Sequence, residues 1–122
     1  MNRSSLAVVA VLLAAGAAAA PPASRDAVVV DPDHHHVVLE NDRYRVYENL
    51  ASLGARSPMH THPPVVVVGL GEARLRITAP DGKQSILDIH PGQVLYLENA
   101  EHAWEVIAGQ LHIVAVEAKP AR

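Results

Sequence analysis

His60-Thr61-His62 is the pair of side chains in this sequence best spaced for chemistry. In an extended strand residues i and i+2 project to one face, so the two imidazoles converge on a single point. Imidazole suits zinc, copper, iron and nickel, and two such ligands need at least one more from elsewhere in the fold. His102 is the natural third, since it opens a separate stretch, 102–108, with Trp104 and Val106 on its face. Against this, a chain with eight histidines produces an HxH by chance, here in a segment flanked by Pro58, Pro63 and Pro64. A histidine at a strand start is also often bonded to a local carbonyl. His34, His35 and His36 form a run that reads as solvated surface imidazoles rather than a second metal site, and His90 and His112 take no assigned role. A low-specificity scavenger of several ions through residues 34–36 is a minor third reading.

The elements that must position these side chains are short. Segments 36–40 and 44–50 flank Asn41-Asp42, a hairpin turn signal. An apolar run covers 65–70. Segment 73–79 alternates, with Leu75, Ile77 and Ala79 on one face and Arg74, Arg76 and Thr78 on the other. The two arginines read as outward and solvated; turned inward they would pair a substrate carboxylate. Pro80-Asp81-Gly82 is a turn, followed by 84–89, Pro91-Gly92, 94–97, 102–108 and 111–117. Strands at this spacing, with no amphipathic helix, predict an all-β sandwich or jelly roll.

Composition narrows the function. A length of 122 residues holds one domain, and a net charge of −3 with no basic block argues against a nucleic-acid groove or a polybasic membrane patch. With no cysteine there is no disulfide framework, Cys-ligated zinc or thiol nucleophile. In residues 1–20 the only charge is Arg3, residues 6–15 are unbroken apolar, and small residues follow. That is the order of a secretory signal peptide, with cleavage expected near residues 18–20. The run is shorter than the ~20 residues needed to span a bilayer. The expected layout is a signal peptide over 1–20, an extended lead-in over 21–33 and the barrel domain over 34–119, in a periplasmic or secreted protein with no membrane contact once the signal is removed.

Taken together these pieces resemble the cupin superfamily, in particular its small single-domain members. The first cupin motif runs from a glycine through five residues to His-x-His, then a glutamate and a closing glycine; here Gly54 precedes His60-Thr61-His62 and Gly71 closes the stretch. The second has a Pro-Gly turn, a strand, a bend and a histidine, matched by Pro91-Gly92, 93–97, the bend 98–101 and His102. The resemblance covers about 36–117 and implies a double-stranded β-helix, or jelly-roll barrel. It also implies one divalent transition metal (iron, manganese, nickel, copper or zinc) held by His60, His62 and His102.

The departures are chemical. The motif glutamate falls at position 66 or 67, and both are valine; the bend carries Glu98 and Ala100 in place of proline and glycine, and Val106 replaces a trailing asparagine. Three neutral imidazoles leave a divalent ion its full charge, which favours a small anionic ligand. The three-His pattern is similar to that of non-haem iron enzymes that oxygenate thiols or cleave diketones, with Tyr96 and Trp104 expected beside the metal. Two readings stand. One is a metal-dependent dioxygenase acting on a small anionic organic molecule. The other is a non-catalytic metal- or small-ligand-binding module. A homodimer is expected to cover the open sheet edges.

Overall fold

The computed structural model describes residues 25–121; the signal peptide expected over 1–20 lies outside them. After a four-residue helix α1 (Ala27–Val30), the strands are β1 (His35–Glu40), β2 (Tyr44–Ala51), β3 (Arg56–Thr61), β4 (Val65–Gly69), β5 (Ala73–Thr78), β6 (Gln84–Ile89), β7 (Val94–Leu97), β8 (Glu101–Gly109) and β9 (Leu111–Ala118). They form two antiparallel sheets, β1-β2-β9-β4-β7 and β3-β8-β5-β6. Strand-to-strand alternation sends Tyr47, Val67, Ile113 and Ala115 inward from the first sheet, and Leu75 and Val106 inward from the second. Arg74 and Arg76 face outward to Asp88 and Glu105, at 2.7 and 3.1 Å.

Two elements differ from expectation. β3 has no strand signal because Pro58 interrupts it, yet it pairs with β8 through a bulge between Ser57 and His60. A bulge leaves residues out of the ladder, so the missing proline N–H costs no hydrogen bond. The lead-in, expected to be extended, contains α1. Asp26 caps it by accepting from Val28 N at 3.2 Å, and Ala27 is fully buried. The segment is strapped to β3: Thr61 N donates to Arg25 O at 2.7 Å, beside a parallel bridge between Asp26 and Thr61. An ion pair from Arg25 to Glu101 at 2.6 Å ties it to β8.

The passage from β8 to β9 takes the chain from one sheet to the other in a single residue step around Gly109. Its φ of 69° and the carbonyl of Glu72, 2.2 Å from where a Cβ would stand, leave no room for a side chain. That turn fixes His102 on one sheet and Glu117 on the other, both facing the interior.

Candidate metal centre

β3 and β8 set His60 directly opposite His102, and the chain leaving β3 turns His62 back beside them. Ring centroids lie 4.8 Å apart for His60 and His102, 4.7 Å for His60 and His62, and 5.2 Å for His62 and His102. The three histidines singled out in the sequence are therefore neighbours. A fourth joins them across the sandwich: His35, at the start of β1, has its ring 5.2 Å from His60 and 6.2 Å from His62. One ligand nitrogen each from His35, His60 and His62 lies within 4.8 Å of the others. His35 thus belongs to the interior, at 2% exposure, and not to a solvated surface run. Its strand begins one residue earlier than the hydrophobic pattern indicates, which turns the ring inward. Only the neighbouring His36 is exposed, while His34 lies half-buried on Asp31.

The orientation of each ring is set from behind. His35 Nδ1–H donates to Asp31 O at 2.9 Å, and His60 Nδ1–H donates to Pro58 O at 2.7 Å. Ser57 Oγ stands 3.2 Å from His60 Nδ1 and donates its own proton to the Asp31 carboxylate. His62 Nδ1 lies 3.0 Å from Tyr47 Oη and 3.3 Å from Glu117 Oε1. With the proton on Nδ1, each ring keeps the lone pair of Nε2 available to a ligand. Such backing by carbonyls and carboxylates is how metal-bound histidines are held.

The Nε2 atoms of His35 and His60 are completely buried and have no hydrogen-bond partner. Each orphaned nitrogen costs about 1–3 kcal/mol, and a divalent ion accepting both lone pairs would remove that cost. The donor set therefore fits a transition metal. Burial pushes the His60 imidazole down to about 3, helped by the adjacent His62 and His102. Burial likewise pushes His102 down to about 4. His35 is lowered too, again by burial. All three are held neutral at physiological pH, as ligation requires.

The carboxylate absent from the motif is replaced one layer out. Val66 points to the outer face and Val67 into the barrel, so neither position supplies a charge. Instead Asp31 and Glu117, 7% and 2% exposed, stand behind the rings. Arg45 clamps Glu117 at 2.6 Å and Asp26 at 2.7 Å, and the pair holds its guanidinium above the ordinary range. Burial and the charge of Glu117 push the Tyr47 hydroxyl upward, so it stays protonated. Neither Asp31 nor Glu117 carries a local motif, because each reaches the site through the fold.

Trp104 is buried and lines the interior next to His102. Tyr96, expected beside the metal, is 61% exposed on the outer face of β7. Its cross-strand partner is Val66, and alternation turns both away from the barrel.

No protein-family model matches the chain, and neither does any curated protein. Solved structures do. A cupin domain from Bordetella pertussis superposes with a TM-score of 0.64 at 23% identity, over 70% of this chain and 92% of that one. This chain has the cupin fold. An RmlC-like cupin with a double-stranded β-helix from Methanocaldococcus jannaschii gives 0.55 at 14% identity, over 69% and 77% of the two chains. The polyketide cyclase RemF from Streptomyces resistomycificus gives 0.52 at 18%, over 69% and 63%. These likenesses establish the jelly-roll architecture of the cupin and nothing about its reaction.

Proposed function

We propose that this cupin is an exported metal-binding module, its divalent transition metal held by His35, His60 and His62 with His102 as the fourth imidazole. The observation that carries the reading is the pair of buried, partnerless Nε2 atoms, each backed at Nδ1 by a fixed acceptor. The metal would supply Lewis acidity and open coordination positions. Asp31, Ser57, Tyr47 and Glu117 orient the rings, and the apolar walls exclude water.

Of the catalytic and binding forms of this reading, the interior favours binding. The space next to His62 and His102 is about 50 Å3 and otherwise almost entirely apolar. A thiol or diketone substrate would find too little volume there and almost no polar partner on the walls. The test is the metal content of the untagged mature protein and of His35→Ala, His60→Ala and His62→Ala. About one ion per chain in the wild type, lost in all three variants, is expected. Wild type that stays metal-free after reconstitution refutes the reading.

A homodimer is part of the proposal. Leu39, Val46, Val116, Val66 and Tyr96 form one apolar row across all five strands of the larger sheet, on its outer face. Val114, Val68 and Val94 form a second row beside it. Together they span on the order of 250 Å2 in projection, a contiguous apolar stripe within the range of a monomer's largest patch. A second copy would cover such a self-complementary face through a two-fold axis.

A further inference from the structure

On one side the two sheets meet along a seam. β1 ends the larger sheet and β3 ends the smaller, and among the described residues no ladder joins the two. His35 and His60 face each other across that seam, ring centroids 5.2 Å apart. The metal-binding reading, on which this inference rests, therefore puts the ion directly behind it. What covers the seam is segment 25–34. Its helix α1 packs against β1 and β3, with Ala27 fully buried and Val28 against the core. A single turn of four residues has no stability of its own, so this cover stays down only through burial and its anchors.

Each anchor grips beside a histidine of the centre. Thr61 N, between His60 and His62, donates to Arg25 O at 2.7 Å, and Glu101, next to His102, pairs with Arg25 at 2.6 Å. Asp26, among its other contacts, accepts from the Arg45 guanidinium at 2.7 and 2.8 Å, and Arg45 in turn holds Glu117 beside His62. The Asp31 carboxylate accepts from Ser57, which touches His60, and the Asp31 carbonyl accepts from His35 Nδ1. Lifting the segment slackens the support of the rings, and rings settled on an ion firm its anchors. The seam is also polar, with Asp31, Ser57 and His34 along it. Beside His62 and His102 the other walls are largely valine, leucine and isoleucine, which a hydrated cation does not cross. We propose that residues 25–34 are a gate: the metal enters and leaves through the β1–β3 seam, and the segment closes over it.

The experiment uses the full mature chain and Co2+, with metal per chain measured first. Association is followed by stopped-flow quenching of Trp104, the single tryptophan, whose ring lies 6.3 Å from that of His35. Release is followed after adding excess EDTA. Ala27→Gln puts a larger, uncharged side chain where Ala27 is already fully enclosed, and so lifts the gate without altering charge. Overpacking of this kind should raise the association rate roughly tenfold and the release rate roughly a hundredfold. The tenfold loss of affinity has a mirror in the wild type, since metal must hold the gate down by about the same factor. Amide hydrogen exchange at Val29, Val30, Asp31 and Thr61, whose N–H groups bond to residues 25–27, reads this directly. Those amides should exchange faster than β8 and β9 in the metal-free protein and slow about tenfold on Co2+ loading.

A folded Ala27→Gln whose association rate is not raised overturns the gate, whatever its release rate, because a segment that only backs the rings speeds release alone. Where Ala27→Gln does not fold, wild-type exchange decides. Protection at those four amides that metal raises no more than in β8 and β9 refutes the gate. Failure of the wild type to bind Co2+ or any other divalent transition ion refutes the metal centre itself, and this inference falls with it. Metal bound at rates indifferent to residue 27 removes the gate and leaves the metal centre standing.

Discussion

Replacing His60 by leucine is expected to make the metal-free protein more stable and to abolish its stabilisation by metal. His60 is completely buried, its Nε2 has no partner, and burial holds its imidazole down to about 3. Leucine fills most of the same volume and removes the orphaned nitrogen, a gain of about 1–3 kcal/mol. It also loses the bond to Pro58 O, worth about 1 kcal/mol, so a net gain of about 1 kcal/mol is expected near neutrality.

The gain should grow in acid. Between about 3 and the ordinary histidine value of about 6.5 the unfolded chain binds a proton at His60 that the folded chain does not. Wild-type stability on this account is whole above 6.5 and declines as pH falls toward 3. The loss is about 1.4 kcal/mol per pH unit, or about 2 kcal/mol at about pH 5. Without His60 that share of the acid sensitivity disappears.

Metal reverses the order. At a free concentration a hundred times Kd, a bound ion adds about 2.7 kcal/mol to the wild type and nothing to a variant that cannot bind it. At about 4–8 °C per kcal/mol for a domain of this size, the wild-type Tm should rise by roughly 10–20 °C. The assay is thermal and urea unfolding of both proteins, with EDTA and with Zn2+, at about pH 7 and about pH 5. A wild type that no divalent transition ion stabilises would refute the reasoning. So would a metal-free His60→Leu several kcal/mol less stable than wild type, since the orphaned nitrogen would then carry no cost.

Three further outcomes are expected. Glu117→Gln leaves Arg45 short of a buried partner and loosens the support of His62; metal affinity should fall about ten- to a hundredfold by chelator competition, with a lower metal-free Tm. Val116→Glu places a charge in the middle of the outer apolar row and should convert a dimer to a monomer in light scattering, with metal content unchanged. N-terminal sequencing of protein recovered from the periplasm of an expressing bacterium should begin after residues 18–20, and a start at Met1 would contradict export.

What could be read locally was the pattern of strands and the paired ligands. Period-two alternation in 73–79 and the turn chemistry at Pro80-Asp81-Gly82 are properties of adjacent residues, so β5 and β6 were legible residue by residue. The HxH pair was legible for the same reason. β3 was hidden because Pro58 contradicts strand propensity unless a bulge is already known to receive it. Tyr96 was misplaced because a shift of one residue in a four-residue strand exchanges inside for outside.

By itself the sequence determined an all-β chain with His60, His62 and His102 in an order that a jelly roll brings together. Only the tertiary structure decided that His35 joins them. The same is true of Asp31 and Glu117, which stand where no motif carboxylate remains, and of the small, largely apolar cavity beside His62 and His102. The physical reason is distance along the chain. The register of a hairpin such as β5 with β6 follows from local pattern, whereas the contact of β1 with β3 across the two sheets is made by packing.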